Sequence, residues 1–306
     1  MAFYSVDADL QRHLEEGLQQ LRAGRPQLLQ RLSITWLVYD HSIIDTGANL
    51  DAAAFWRARP RGACHGATTP RYPASIVKLV YQAAVEAWID RGWLRHDNEL
   101  AQAMADMIRH SSNDATALVL DRLTATTSGP SLPPERFAGW QRQRQLVNDW
   151  LRELGWPELN DCNCCQKTWG DGPYGREAQS YGSPLGGRNA LSSDGVARLL
   201  HGVIAGQLVS PLACCHMRQL LERPIDLEVR AADAENQVDG FLGQALPPDS
   251  RLWSKAGLMS TARGDAAYME LPLQCPCLVV VLGEGQALAR DEALLPALMG
   301  HLRQAL

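Results

Sequence analysis

The first residues able to do chemistry together are Ser75 and Lys78, in the run Tyr72-Pro73-Ala74-Ser75-Ile76-Val77-Lys78. Three positions apart on a helix, a hydroxyl and an ammonium share one face. A serine hydroxyl is a weak nucleophile until a base takes its proton, and a desolvated lysine is able to be that base. The helix that would hold them is otherwise apolar through Leu79, Val80, Ala83, Ala84, Val85 and Trp88, so a lysine inside it needs a partner. Lysine is also scarce. Of 29 basic residues only Lys78, Lys167 and Lys255 are lysines. Arginine serves wherever a fixed charge suffices, but a guanidinium does not deprotonate in proteins. The three lysines are therefore the positions to suspect.

Two later segments extend this chemistry. His110-Ser111-Ser112-Asn113-Asp114 offers a serine to shuttle a proton and an asparagine to hold a substrate amide. Standing alone it reads first as a helix N-cap. Trp253-Ser254-Lys255-Ala256-Gly257-Leu258 offers a lysine for positive potential and a glycine that lets substrate lie against a strand. Its plain alternative is an exposed strand lysine beside a turn glycine.

In this order the segments match S-x-x-K, S-D-N and K-T-G, the motif set of class A β-lactamases and penicillin-binding proteins. The chain resembles that superfamily over about residues 30–306, most weakly at 124–190. The resemblance implies an α+β fold: an antiparallel sheet of about five strands flanked by helices, with a mainly helical part. It implies a single β-lactamase-like domain, with an α/β part about 1–70 and 215–306 and a helical part about 71–214. It implies an oxyanion hole from the backbone N–H groups of Ser75 and Leu258, and it makes Arg263, beside Gly264, a candidate for a substrate carboxylate. An ordinary turn arginine is the alternative for Arg263. The implied activity is serine hydrolysis of a β-lactam or related amide or ester through an acyl-enzyme. The other readings are a D-Ala-D-Ala peptidase or esterase, or a binding protein that kept the fold without turnover. No cofactor or metal is implied.

The sequence departs from the family pattern twice. Ala256 replaces the hydroxyl residue of the third motif, removing a donor. Class A enzymes carry a glutamate that activates the deacylating water, in a loop reading E-x-x-L-N; here Trp156-Pro157-Glu158-Leu159-Asn160 places Trp156 where that glutamate belongs. Glu158 and Glu177 are the remaining candidate bases. Residues 166–177, which include Lys167, Trp169 and Tyr174, read as a specialised wall of the site, with Lys167 a candidate substrate contact. A purely structural loop is the alternative.

Hydrophobic patterning supplies the elements that must hold these residues. It predicts helices at 5–30, 74–91, 97–109, 112–123, 140–154, 192–206, 210–222 and 286–305. Strands are predicted at 33–39, 251–257, 265–271 and 277–282. Residues 45–72, 124–139 and 155–190 read as loops. Net charge is −5 and no basic face suggests nucleic acid. No apolar run reaches the ~20 residues of a membrane span. The start of the chain lacks the pattern of a secretory signal, so a cytoplasmic location is expected, or a periplasmic one if the chain is already processed. The partner expected is a small amide, ester or peptide substrate. Among the eight cysteines, Cys162, Cys164 and Cys165 invite a metal-site reading, but buried small hydrophobes suit their spacing better.

Overall fold

A computed structural model describes residues 3–47, 49–169, 172–182 and 186–306. Gly170 and Asp171, part of the wall read from the sequence, lie outside the described residues. The chain runs β1 (Ser5–Val6), α1 (Ala8–Leu21), β2 (Leu32–Val38), β3 (Arg61–His65), α2 (Val77–Asp90), α3 (Asn98–Arg109), α4 (Asn113–Thr124), α5 (Pro134–Arg144), α6 (Leu146–Glu153), α7 (Gly175–Tyr181), α8 (Ser193–Ile204), α9 (Pro211–Leu221), β4 (Glu222–Arg223), β5 (Arg251–Met259), β6 (Ala262–Glu270), β7 (Cys277–Glu284) and α10 (Leu294–Leu302), with shorter helical turns between.

One seven-stranded sheet runs in the order β1-β3-β2-β7-β6-β5-β4. Every adjacent pair is antiparallel except β1 with β3. The α+β architecture is the expected one. The sheet has seven strands where the resemblance implies about five; the patterning located four, since β3 lies in the segment read as loop, and β1 and β4 are two-residue strands too short to leave a periodic signal. The proline-rich segment also becomes helix at Pro134, where proline fits a first turn. A short helix, α7, interrupts the long loop.

Side chains alternate across a strand, and this sheet buries both faces. Leu278, Val280 and Leu282 of β7 pack with α2 and α8 on one side, while Cys277, Val279 and Val281 pack with α1 and α10 on the other. Asp7 starts α1 by accepting from the backbone N–H groups of Asp9 and Leu10. Leu10, Leu14 and Leu18 then form the buried stripe. The pairing Lys255↔Ala266 and Leu258↔Arg263 assigns faces near the site. Lys255, Gly257, Gly264 and Ala266 look toward the helical layer. Ala256, Arg263 and Asp265 look toward α1 and α10.

Candidate active site

Ser75 lies in a 3-10 turn, Ala74–Ile76, that leads into α2. It is half-buried, and among the described residues no side-chain hydrogen bond engages its hydroxyl. β5 passes hard against this turn. A Cβ on Gly257 would lie 2.6 Å from the Pro73 carbonyl oxygen and 3.1 Å from the Ile76 side chain. Any larger residue would push the strand off the serine.

Lys78 is fully buried one turn further on. Its ammonium donates to Ser111 Oγ at 3.1 Å, to Asn113 Oδ1 at 3.0 Å, and to the Ser111 carbonyl oxygen. Among the described residues no carboxylate pairs with it. Burial lowers its pKa to about 7, with Glu235 opposing at longer range. Lys255, also fully buried, donates to Ser111 Oγ at 3.0 Å, to the Ala256 carbonyl oxygen at 2.9 Å, and to Gln237 Oε1. Burial pushes its pKa well down, reinforced by Lys78 and Arg223 and opposed by Asp265. Two lysine side chains thus converge on one serine hydroxyl, and Lys78 makes Lys255 easier to deprotonate.

The loop between α3 and α4 makes that convergence possible. Ser112 is the N-cap of α4, its hydroxyl accepting from the Ala115 N–H at 3.1 Å. The capping alternative therefore belongs to Ser112, and it frees Ser111 and Asn113 to face the lysines. Ser111 adopts φ +55° and Ala74 φ +46°. These are two of only five described non-glycine residues with positive φ, and each flanks or forms the site. Strain of this kind costs of order 1–3 kcal/mol and persists where the surroundings impose it. Gln237 and Arg223 brace the backbone leading into Ser111. The Gln237 amide donates to the Arg109 carbonyl oxygen at 2.7 Å, and Arg223 donates to that of Ile108 at 2.7 Å and to that of Ser254 at 3.3 Å. They tie the end of α3 to β5. Neither residue stands in a motif, so sequence reasoning had no signal for them.

Other candidate residues lie elsewhere. Arg263 points to the back of the sheet. Its Nε donates to the Ala289 carbonyl oxygen and its Nη1 to that of Gly240, both at 2.9 Å, with Glu292 3.6 Å away. It is buried over the Phe241 ring and presents no free fork to the cleft. Lys167 is likewise committed: its ammonium pairs with Asp121 at 2.6 Å and Ser128 Oγ at 2.8 Å, with Glu177 at 3.8 Å. Asp121 is eight residues along α4 from Asn113, about 12 Å of helical rise. Lys167 is thus an anchor between α4 and the loop. Glu177 is held there too, bonded to Arg144 and to Ser128 Oγ at 2.9 Å.

Glu158 pairs with Arg198 at 2.7 Å and lines a cavity of about 180 Å³ with Thr68, Pro70, Cys162 and Asp194. Trp156 rests on Trp56, ring centres 5.1 Å apart, and under Arg198 at 4.6 Å. The segment matching the deacylation loop is thus fastened to α8 at Arg198, and neither carboxylate bonds to the cluster around Lys78. Glu158→Gln is expected to change the rate of acyl release less than about threefold, while lowering stability by about 1–3 kcal/mol because Arg198 loses its charged partner. Single-turnover kinetics and a urea titration check both; a hundredfold slower release would identify Glu158 as the base.

All eight cysteines are free thiols. Burial raises the pKa of Cys162, Cys164 and Cys165, as suits packed thiols. Among the described residues no group of three His, Cys, Asp or Glu is placed to hold a metal ion. No helix among them is long and apolar enough to cross a membrane.

Comparison with known proteins agrees with this architecture. Among solved structures, a variant of PBP-A, an acyl-enzyme complex with penicillin G, aligns with TM-score 0.65 at 15% identity, over 98% of this chain and 97% of its own. An ancestral class A β-lactamase (GNCA) gives 0.62 at 21%, over 96% and 100%. A β-lactamase from Xanthomonas campestris gives 0.63 at 18%, over 96% and 98%. At these identities the likeness is one of fold. No curated protein matches the sequence. The family model described as the Beta-lactamase enzyme family matches residues 96–298, from α3 to α10, which includes the second and third motifs. The chain belongs to the β-lactamase enzyme family.

Proposed function

We propose that this protein is a serine hydrolase whose Ser75 is acylated by a β-lactam or a related amide or ester, and that the acyl group leaves slowly. The observation that carries the proposal is the convergence of Lys78 and Lys255 on Ser111 Oγ beside a serine left free to react.

In the proposed reaction neutral Lys78 takes the Ser75 hydroxyl proton as Oγ attacks the carbonyl carbon. The developing oxyanion is met by the backbone N–H groups of Ser75 and Leu258. The carbonyl carbon–nitrogen bond then breaks. The proton travels from Lys78 through the Ser111 hydroxyl to the leaving nitrogen, and Asn113 orients the substrate amide. Lys255 donates to the Ser111 hydroxyl and holds it in register. Gly257 keeps the strand close enough for Leu258 to take part. Arg263 and Lys167 have no step in this scheme.

Release of the acyl group requires a base for water. Glu158 and Glu177 are each neutralised by an arginine, so the task falls to Lys78 after it has given up its proton. That favours a long-lived acyl-enzyme over rapid turnover. A peptidase or esterase activity is the second reading, favoured by the same carboxylate-poor site. Intact-mass spectrometry after incubation with penicillin G, and separately with a fluorophosphonate, tests the proposal. Wild type is expected to gain one adduct from each, the penicillin adduct persisting for minutes or longer, and Ser75→Ala to gain neither. Absence of both adducts on wild type, or equal labelling of Ser75→Ala, would overturn it. Decay of the penicillin adduct within seconds would overturn slow release.

A further inference from the structure

The cleft has a second cation that no motif announces. Arg188 sits in the segment leading to α8, and its backbone is rigidly held. Its carbonyl oxygen accepts from Asn163 Nδ2 at 2.9 Å, and three residues on, Leu191 exchanges two backbone hydrogen bonds with Arg71, each 2.9 Å. This sets Arg188 beside the chain entering the nucleophile turn. The guanidinium stacks 3.8 Å above the Tyr72 ring and reaches Met259 with Nη2 3.8 Å from the thioether sulfur. It therefore spans both walls of the cleft: Tyr72 stands three residues before Ser75, and Met259 directly follows Leu258. Leu258 and Met259 are 53% and 41% exposed.

Arg188 is under-used in this position. Among the described residues no carboxylate pairs with it. Its Nε is buried without a hydrogen-bond partner, and a thioether sulfur is only a weak acceptor. A planar fork stacked on an aromatic ring and lacking an acceptor matches a carboxylate or phosphate in geometry. Lys255 lies four residues back along β5, about 13 Å away. Gly257, packed on the turn that carries Ser75, falls between the two. The cations thus stand at opposite ends of the cleft, Lys255 at the Ser111 end and Arg188 at the Tyr72–Met259 end.

We propose that Arg188 forms an anion subsite at the Tyr72–Met259 end, selecting substrates whose acyl portion carries a carboxylate. This deepens, and rests on, the reading of Ser75 as the acylated residue. Arg188 takes no part in bond making; it positions the acyl group by binding its charge. A structural role alone, stacking on Tyr72, would slow all substrates alike.

The test uses two probes that differ by one carboxylate on the acyl side chain: benzylpenicillin and carbenicillin. The readout is the ratio of their second-order rate constants for acylating the full-length protein, followed by intact mass. In wild type the ratio should favour carbenicillin and fall as NaCl is raised to about 1 M, since salt screens a partly exposed pair. In Arg188→Gln it should fall about tenfold, the equivalent of one lost pairing of about 1.4 kcal/mol. Arg188→Lys, which keeps the charge, should recover much of it. A ratio that stays within twofold in Arg188→Gln, or that ignores salt in wild type, overturns the subsite while leaving Ser75 acylation standing. If neither penicillin acylates wild type the subsite is overturned, and a fluorophosphonate adduct on the same protein tells whether the Ser75 reading stands or falls with it.

Discussion

Lys78→Met is expected to slow acylation of Ser75 by about 10²–10⁴-fold, the usual contribution of a positioned general base. Lys78→Arg should be nearly as slow, because it restores charge and hydrogen bonding but supplies no group that deprotonates. With a wild-type pKa of about 7, the acylation rate should rise with pH through neutrality and level off above it, as the neutral amine becomes dominant. Both variants should lose that limb. Stopped-flow or quenched acylation between pH 5.5 and 9 measures it. Near-wild-type acylation by Lys78→Arg would remove the lysine from the base role.

The same residue makes a stability prediction whose sign follows from linkage. An exposed lysine in the unfolded chain keeps its proton to about pH 10.4, whereas folded Lys78 releases it near 7. Between those values the unfolded state binds more protons, so stability contributed at this position rises with pH and is smallest below 7. Lys78→Met removes the buried ammonium and should flatten that rise. Its urea midpoint should exceed that of wild type at pH 6, with the gap narrowing toward pH 9. A variant that is less active yet more stable at low pH marks a group held against its own solvation for chemistry.

Arg144→Met is expected to cost about 3–5 kcal/mol of folding stability, the range for breaking a buried ion pair from one side. Arg144 is fully buried. It bonds to Asp121 Oδ1 at 3.0 Å and to Glu177, and lies 4.8 Å over the Trp140 ring. Lys167 completes the group on Asp121 Oδ2. Two cations and two carboxylates balance; without Arg144, Lys167 faces both acids alone. Asp121 belongs to α4, Arg144 to α5, Glu177 to α7 and Lys167 to the loop between them, so the cluster clamps the long loop to the helical layer. Adding Glu177→Gln to Arg144→Met should recover part of the loss by rebalancing charge. Equilibrium unfolding of the single and double variants decides it, and a loss under about 1 kcal/mol for Arg144→Met would show that the cluster is not the clamp.

The sequence by itself determined which side chains gather at the centre. Ser75, Lys78, Ser111, Asn113 and Lys255 are legible because only certain side chains lend and take protons, and because a helix or strand puts residues at short spacings on one face. Lysine scarcity drew attention to Lys78 and Lys255, the two lysines whose side chains meet at Ser111 Oγ. The long, strongly patterned elements were legible too: β2 is rich in β-branched and aromatic residues, and β7, buried on both faces, reads as an apolar run. β3 was missed because Arg61-Gly62-Ala63-Cys64-His65 has little β-branched or alternating character. It is a strand because Leu37 and Val38 across the ladder need backbone partners.

Tertiary structure alone decided the rest. Arg263 and Lys255 both read as cations on neighbouring strands. Which of them meets Ser111 depends on the β5–β6 register, and a one-residue slip of β6 would turn Arg263 to the face that holds Lys255. Lys167 and Glu177 read as site residues because charge on a glycine-rich loop suggests ligand binding. Their partners, Asp121 and Arg144, come from helices 46 and 33 residues away, and no local spacing reveals such a pairing. Arg188 is the converse case: it is one arginine among 26 in the sequence, and only the fold brings it onto the Tyr72 ring and to the Met259 sulfur. Short-range geometry is written in sequence because a helix or strand repeats every few residues. The identity of a long-range neighbour is set by how layers stack, which depends on the whole chain.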